Sequence, residues 1–233
     1  MKVSNLIYSY WNDFVNLIFP RVCVHCNSVL IYQENHLCTK CRLSLPKTNY
    51  HLKSDNPIQL KFIYEPKVHQ ACTYLHFNKK GIAQSLIHEL KYRDQPELGV
   101  LIGNWYAHDL TTCGWPIDMI IPIPLHKSKL KRRGFNQSER FAAGLSEVLG
   151  WPVLDDLIIR KRRTSTQTKK TKVERWQNVN SIYALKTSGG VFEKNVLIVD
   201  DVLTTGATIG EMIQLLVNNG VGSIYIATIA AGK

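Results

Sequence analysis

Short apolar stretches alternate with helical spacings from residue 71 onward. Five apolar stretches predict strands, at residues 71–77, 119–123, 181–185, 196–199 and 224–229. Four runs with apolar residues three or four positions apart predict helices, and these runs begin at Ala83, Leu98, Phe141 and Ile209. Strands that alternate with helices in this way predict an α/β fold around a mostly parallel sheet.

The first 68 residues follow a different pattern, which predicts three further segments. Residues 1–20 place apolar side chains near one helical face up to Pro20, so an amphipathic helix is expected there. The other face has almost no Lys or Arg, which favours a packing or partner helix over an interfacial membrane helix. Residues 21–47 hold paired cysteines, and residues 48–68 contain two prolines and are expected to form a linker or an irregular cover. The α/β domain would then span residues 69–233.

Composition adds a strong positive charge to this picture. The 233 residues are 45% hydrophobic, enough for a core, and carry a formal net charge of +11 at pH 7. The windows 127–133 and 160–175 together hold 13 of the 29 Lys and Arg residues. Clustered charge of this kind attracts phosphates or a nucleic acid backbone. The alternative is a solvated surface that serves solubility alone.

The sequence lacks the usual signals of export and membrane insertion. Polar residues interrupt the apolar side chains of the first 20 residues, so no signal peptide is predicted. No apolar run approaches the roughly 20 residues that a membrane helix needs. We therefore expect a cytoplasmic protein without a transmembrane segment, in which the cysteines stay reduced.

Four of the six cysteines have the spacing of metal ligands. Cys23 and Cys26 form one Cys-x₂-Cys pair, and Cys38 and Cys41 form a second pair after eleven intervening residues. Two such pairs predict a closed, tetrahedral structural zinc site. A dithiol redox pair is the alternative, although one pair would suffice for that chemistry.

Acidic and hydroxyl side chains follow the strand predicted at residues 196–199. Asp200 and Asp201 come directly after it, at the sheet edge where open α/β folds bind ligands. The next turn leads into a helix and offers hydroxyls and backbone N–H groups to a phosphate. The residues of this phosphate loop are Thr204, Thr205, Gly206, Ala207 and Thr208. Two carboxylates beside a phosphate pocket suit a sugar diol and a hydrated Mg²⁺.

The thirteen residues 196–208 closely resemble the phosphoribosyl-pyrophosphate motif of type I phosphoribosyltransferases. The resemblance implies a type I phosphoribosyltransferase fold that binds phosphoribosyl pyrophosphate together with Mg²⁺. It also implies that the catalytic-site candidates Asp200 and Asp201 bind the ribose 2′- and 3′-hydroxyls, while the phosphate loop holds the 5′-phosphate. A response-regulator receiver and a Walker B strand fit less well. The first needs a further Asp and a Lys, and no Asp follows Asp201; the second needs a glycine-rich Lys loop upstream.

A second motif follows the strand at residues 119–123. It reads Pro-x-Pro-Leu and, after a basic stretch expected to be a loop, Arg-Gly-Phe-Asn-Gln. With the four cysteines, it resembles the competence protein F family (ComF/GntX type), in which a small zinc module precedes a phosphoribosyltransferase domain. That fold implies that this segment holds the pyrophosphate, with Pro122, Pro124, Arg133, Asn136 and Gln137 as candidate ligands. Asn136 is also a candidate cap for the next helix.

Residues 160–178 also match the family pattern, with Arg163, Gln167 and Arg175 as candidate ligands. The family usually has an aliphatic residue where this chain has Lys169 and Lys170, so the detailed fit differs there. No apolar periodicity runs through residues 161–172, which indicates a loop. The resemblance to type I phosphoribosyltransferases implies that this loop closes over the substrate. The rival interpretation is a contact with nucleic acid.

Two functions remain open at this point. One is transfer to the ribose anomeric carbon with pyrophosphate as leaving group, for which no general base is evident. The other is a non-catalytic accessory that binds single-stranded DNA and keeps the phosphoribosyl site for binding or regulation. The family resemblance implies a role in DNA uptake or the use of external DNA, beside a DNA-uptake helicase.

Overall fold

The computed structural model describes residues 18–31, 33–160, 182–187 and 189–232. The helices are α1 (Thr39–Leu43), α2 (Pro57–Leu60), α3 (Ile82–Tyr92), α4 (Pro96–Leu110), α5 (Lys127–Arg133), α6 (Gln137–Leu149) and α7 (Ala207–Asn218). The strands are β1 (Val68–His76), β2 (Met119–Pro122), β3 (Ile158–Arg160), β4 (Tyr183–Leu185), β5 (Asn195–Leu203) and β6 (Ser223–Ala231). Each predicted strand overlaps an observed one. Residues 1–17 of the predicted amphipathic helix lie outside the described residues.

Four strands form one parallel sheet in the order β1-β6-β5-β2. This confirms the predicted α/β class with its mostly parallel sheet. Residues 196–199 of β5 are fully buried, as expected for a central strand covered on both faces. Pro122 at the end of β2 pairs with Val199, so β2 ends beside the start of the Asp200–Asp201 pair.

Helices α4 and α6 cross at very short range. A Cβ atom on Gly144 would lie 2.1 Å from the carbonyl oxygen of Val100, and one on Gly103 would lie 2.4 Å from that of Phe141. Only glycine permits this approach, because any side chain would overlap the facing backbone. The close crossing fixes the position of α6, and α6 begins directly beside β5.

The segment between the cysteines and β1 folds against the sheet. Its 3₁₀ helix spans Tyr50–Leu52, and α2 begins at an Asn56 cap that accepts hydrogen bonds from the N–H groups of Ile58 and Gln59. The Asn56 side chain also donates to the carbonyl oxygen of Ala71 in β1, at 3.0 Å. These contacts hold α2 beside the edge strand β1.

The basic stretch after β2, expected to be a loop, forms helix α5. His126 caps it by accepting a hydrogen bond from the N–H of Ser128 at 3.2 Å. The expectation was wrong because α5 has no buried side chain and therefore no apolar stripe in its sequence.

Within the described residues, no helix combines the length and the apolar character that a membrane crossing requires.

Candidate functional site

Asp200 and Asp201 lie near the carboxyl end of β5, where the sequence places them. The Ser138 hydroxyl donates to Oδ1 of Asp200 at 2.9 Å, and the backbone N–H of Asp201 donates to the same oxygen at 2.8 Å. Ser138 is the second residue of α6, so the close packing of α6 positions the donor that orients Asp200.

Asp201 forms an ion pair with a lysine that the sequence analysis missed. The Nζ atom of Lys91 lies 2.9 Å from Oδ2 of Asp201, and the Asp201 side chain is 14% exposed. Lys91 occupies the last turn of α3, next to the buried Leu90. The sequence pattern alone marks Lys91 only as a polar residue beside the apolar face of a helix.

The two neighbouring carboxylates perturb each other. Burial, and then the negative charge of Asp201, raise the pKa of Asp200 to about 7. The hydrogen bonds from the Asp201 amide and the Ser138 hydroxyl, and the charge of Lys91, act in the opposite direction. Two adjacent acids that share one lysine would be stabilised by a further cation, so this donor set fits Mg²⁺.

The phosphate loop connects β5 to α7 as a short exposed turn. Gly206 is the N-cap of α7 with φ +84°, a left-handed conformation that favours glycine. No acid occupies the first turn of this twelve-residue helix. Its N-terminal N–H groups and positive dipole end are therefore placed to bind an anion. Thr204, Thr205 and Ala207 are exposed, and Thr208 is half-buried.

The cover segment reaches this loop, which the sequence analysis also missed. The Nζ atom of Lys61 donates to the carbonyl oxygen of Thr204 at 3.3 Å. The ring of Phe62 lies 3.4 Å from the position that a Cβ atom on Gly206 would take. Phe62 is buried, so the residues after α2 pack directly against the turn that would hold a phosphate.

The candidate pyrophosphate residues lie at the neighbouring end of β2. Pro122 is buried and Pro124 is half-buried. The Asn136 side chain donates to the carbonyl oxygen of Ile123 at 3.0 Å and caps α6 by accepting from the N–H of Ser138. Gln137 accepts a hydrogen bond from an η-nitrogen of Arg133 at 2.7 Å. Asn136 thus fixes the chain after β2, and Gln137 orients Arg133.

Arg133 also lines a cleft between α3 and α5, of about 530 Å³. We refer to it as the α3–α5 cleft; its other charged and aromatic residues are Lys91, Tyr92, Asp94, Lys131 and Arg132. The Arg133 guanidinium lies 5.7 Å from the centre of the Tyr92 ring. Since Lys91 also pairs with Asp201, the cleft adjoins the carboxylate pair.

The four predicted metal ligands come together. The sulfur atoms of Cys23, Cys26, Cys38 and Cys41 all lie within 4.8 Å of one another, and those of Cys26 and Cys38 are 3.6 Å apart. A tetrahedron with zinc–sulfur bonds of about 2.3 Å has sulfur–sulfur edges of about 3.8 Å. The Ser28 side chain, then its backbone, lowers the pKa of Cys26 to about 6, which favours the thiolate that a metal requires. The cluster fits a zinc module.

Three further candidates, Arg163, Gln167 and Arg175, lie outside the described residues. The strands on either side of their segment are paired. β3 and β4 are antiparallel, with Arg160 opposite Tyr183. Arg160 and Tyr183, which flank residues 161–181, are therefore neighbours.

Comparisons with known proteins agree with the sequence resemblance. Residues 136–233 match the phosphoribosyl transferase domain model. DNA utilization protein YhgH of Escherichia coli O157:H7 is 31% identical over 198 residues, 83% of each chain. Competence protein F of Haemophilus influenzae is 27% identical over 221 residues, 88% of this chain and 94% of that protein. Among solved structures, an allosteric regulatory enzyme of purine biosynthesis is 19% identical over 61% of this chain and 30% of its own, with a TM-score of 0.45.

Proposed function

The chain belongs to the family of DNA utilization and competence F proteins with a phosphoribosyl transferase domain, and from this premise we propose that it binds Mg²⁺–phosphoribosyl pyrophosphate in the service of DNA utilization. The observation that carries the proposal is the pair Asp200 and Asp201 at the end of β5, beside the glycine-capped start of α7. Paired carboxylates suit a diol, and a helix N-terminus with no acid in its first turn suits a phosphate.

Each part of the site then has a role toward the donor. Asp200 and Asp201 accept hydrogen bonds from the two ribose hydroxyls, and the phosphate loop binds the 5′-phosphate. Arg133 supplies positive charge for the pyrophosphate. Mg²⁺ would be held by the carboxylates together with the donor, and it supplies charge that stabilises the departing pyrophosphate. The remaining contribution of the protein is positioning and a fixed electrostatic field.

The proposed reaction is transfer at the anomeric carbon of ribose, with pyrophosphate as leaving group. Incubation of the full chain with donor, Mg²⁺ and a panel of nucleobases and oligonucleotides, followed by mass spectrometry, tests this step. Release of pyrophosphate together with a product heavier by one phosphoribosyl group would support an enzyme. A donor that is bound but not consumed would support the accessory role instead.

Asp201→Asn should weaken donor binding by about 1.5–3 kcal/mol, the range for hydrogen bonds to charged groups. The substitution removes the charge, keeps the shape and leaves Lys91 to be solvated, so the fold should persist. Calorimetric titration with donor at constant Mg²⁺ measures the effect, and a thermal melt confirms folding. Asp109→Asn is the matched control. Asp109 forms an ion pair with Lys47, with 2.8 Å between Nζ and Oδ2, and this pair lies away from the site. Equal donor affinity in wild type and Asp201→Asn would refute the assignment of this loop.

Donor affinity should fall as the pH drops through about 7, the pKa of Asp200. Only the ionised carboxylate accepts hydrogen bonds from both the ribose and Ser138. The stability of the ligand-free fold changes with the opposite sign. Because the folded-state pKa is raised, that contribution is fully present below the unfolded pKa near 3.8 and is lost as the pH rises through about 7.

Ser138→Ala separates this titration from that of the donor's own phosphate, whose second pKa is about 6. The variant removes a hydrogen bond that lowers the pKa of Asp200, so the midpoint of the affinity profile should move to higher pH. Calorimetric titrations on both sides of pH 7 measure the midpoint. Identical profiles for both proteins would show that Asp200 does not control binding.

A further inference from the structure

The α3–α5 cleft has an excess of positive charge. Lys91 is neutralised by Asp201, and one carboxylate, Asp94, faces the remaining cations. Those cations are Lys131 and Arg132, together with Arg133, which the proposed function assigns to the pyrophosphate; all three lie in the last turn of α5. Closely spaced cations of this kind attract a chain of phosphates more strongly than single charges do.

The cleft also presents an aromatic platform. Tyr92 is 59% exposed, although it is large and partly apolar. The Arg133 guanidinium lies over its ring, and the His88 ring lies 5.0 Å away at an interplanar angle of 45°. Exposed aromatic rings beside cations are the elements on which proteins stack the bases of a single strand.

The dimensions favour a polymer over a lone diphosphate. The cleft measures about 530 Å³, and a second groove of about 580 Å³ lies between α3 and the cysteine segment. His88 lines the second groove and Tyr92 lines the first, so the two adjoin at this ring pair. Lys80 and Arg93 line the second groove together with the carboxylate of Glu89, so a smaller positive excess continues there. A diphosphate needs neither two adjoining grooves nor an exposed ring.

We infer that the α3–α5 cleft binds single-stranded nucleic acid and that Lys91 couples this binding to the phosphoribosyl site. A strand phosphate that pairs with Lys91 leaves Asp201 available to the ribose. Conversely, a donor that binds Asp201 leaves Lys91 available to a strand phosphate. The free-energy cost of breaking the Lys91–Asp201 ion pair is met once when both ligands bind. Each ligand therefore raises the affinity for the other by the same factor. The coupling rests on the proposed function, whereas strand binding in the cleft does not.

Strand binding is tested on the full zinc-loaded chain with a fluorescent oligothymidine, by anisotropy at several salt concentrations. Lys131→Gln with Arg132→Gln should lower affinity and reduce the slope of log K against log salt by about 1.4, since each phosphate contact contributes about 0.7. Lys67→Gln with Lys194→Gln is the matched control. It removes the same charge at the amino ends of β1 and β5, opposite the site. If both double variants behave alike, the cleft is not the binding surface.

Tyr92→Leu tests the platform. It should weaken oligothymidine binding roughly 5- to 100-fold, the equivalent of losing one base stack. Tyr92→Phe keeps the ring and should bind like wild type. Donor affinity should stay unchanged in Tyr92→Phe, which keeps the ring beneath the Arg133 guanidinium. Unchanged strand affinity in Tyr92→Leu, or equal affinity of the wild type for a duplex of the same length, would overturn the assignment of a single strand.

Coupling is measured as the ratio of strand affinities with and without donor, at constant Mg²⁺. The ratio should be about five or more in wild type, the lower end of typical coupling between two sites, and close to one in Lys91→Gln. A wild type that binds donor but gives a ratio of one would refute the coupling alone. A wild type that binds no donor would refute the proposed function and the coupling together. The Tyr92 and Lys131 variants would then still decide strand binding.

Discussion

Gly206→Val should abolish measurable binding of phosphoribosyl pyrophosphate. Gly206 holds φ +84° at the start of α7, where a β-branched residue is strained. Its Cβ would also enter contact range of the Phe62 ring, at 3.4 Å, on a turn that a phosphate must approach closely. We expect a loss greater than the roughly 3 kcal/mol upper bound for Asp201→Asn, or more than about 100-fold, by calorimetric titration with donor and Mg²⁺.

Two variants separate the local effect from general strain. Gly150→Val introduces the same residue at φ +72° at the far end of α6, where the described residues beyond its own chain neighbours place no atom within 4 Å of the new Cβ. It should lower the melting temperature and leave donor affinity intact. Thr205→Ala should have a smaller effect than Gly206→Val, because backbone N–H groups supply much of a phosphate site at a helix start. Equal donor affinity in the two valine variants would show that the phosphate binds elsewhere.

The sequence predicts those parts of the site that one continuous segment forms. Four apolar residues before Asp200 identify a buried strand, and the threonines and Gly206 after it identify a loop at the strand's carboxyl end. Both features are local. The strand, the turn and the helix therefore appear at the predicted positions, and Asn136 caps α6 as expected.

The contacts that complete the site join segments that are distant in the sequence, so local sequence patterns cannot predict them. Lys91 reaches Asp201 from α3, and Phe62 reaches Gly206 from the cover segment. Nothing in the neighbourhood of either residue specifies its partner. Helix α5 was missed for a different reason. Its single apolar residue, Leu130, is 40% exposed, so the helix buries no face that a periodicity could reveal.

Burial and mutual repulsion destabilise the ionised carboxylate pair in the ligand-free fold. Burial and the charge of Asp201 raise the pKa of Asp200, and they outweigh the opposite effect of Lys91 and the nearby hydrogen-bond donors. In the proposed complex, a donor that arrives with a cation would relieve this repulsion and free Lys91. Placing two acids together thus weakens the empty site and would favour the occupied one, as expected of a ligand site.

Cys23→Ser should abolish zinc retention and unfold the cysteine segment. Wild-type protein should contain about one zinc per chain. Metal binding contributes about 10–16 kcal/mol in zinc-finger peptides, where it is coupled to folding. Here Cys23 is fully buried, and the same apolar cluster includes Leu86 and Leu90 of α3. Loss of the metal should therefore lower the melting temperature and expose residues 21–47 to proteolysis, as measured by metal analysis, thermal melts and limited digestion.

Cys113→Ser is the matched control, because Cys113 is half-buried and lies outside the four-cysteine metal cluster. It should keep one zinc and melt near the wild-type temperature. Donor affinity should survive in Cys23→Ser, because no described side chain of the cysteine segment contributes to the Asp200–Asp201 pair or the phosphate loop. Affinity for the oligothymidine strand should fall, because Cys23 lines the second groove. In addition, Nδ1 of His25 forms a hydrogen bond of 3.0 Å with the Ser85 hydroxyl of α3. Clean wild-type protein without zinc, or with a disulfide between Cys23 and Cys26, would contradict the metal site. A Cys23→Ser variant that keeps its zinc and its melting temperature would show that this cysteine is not a ligand.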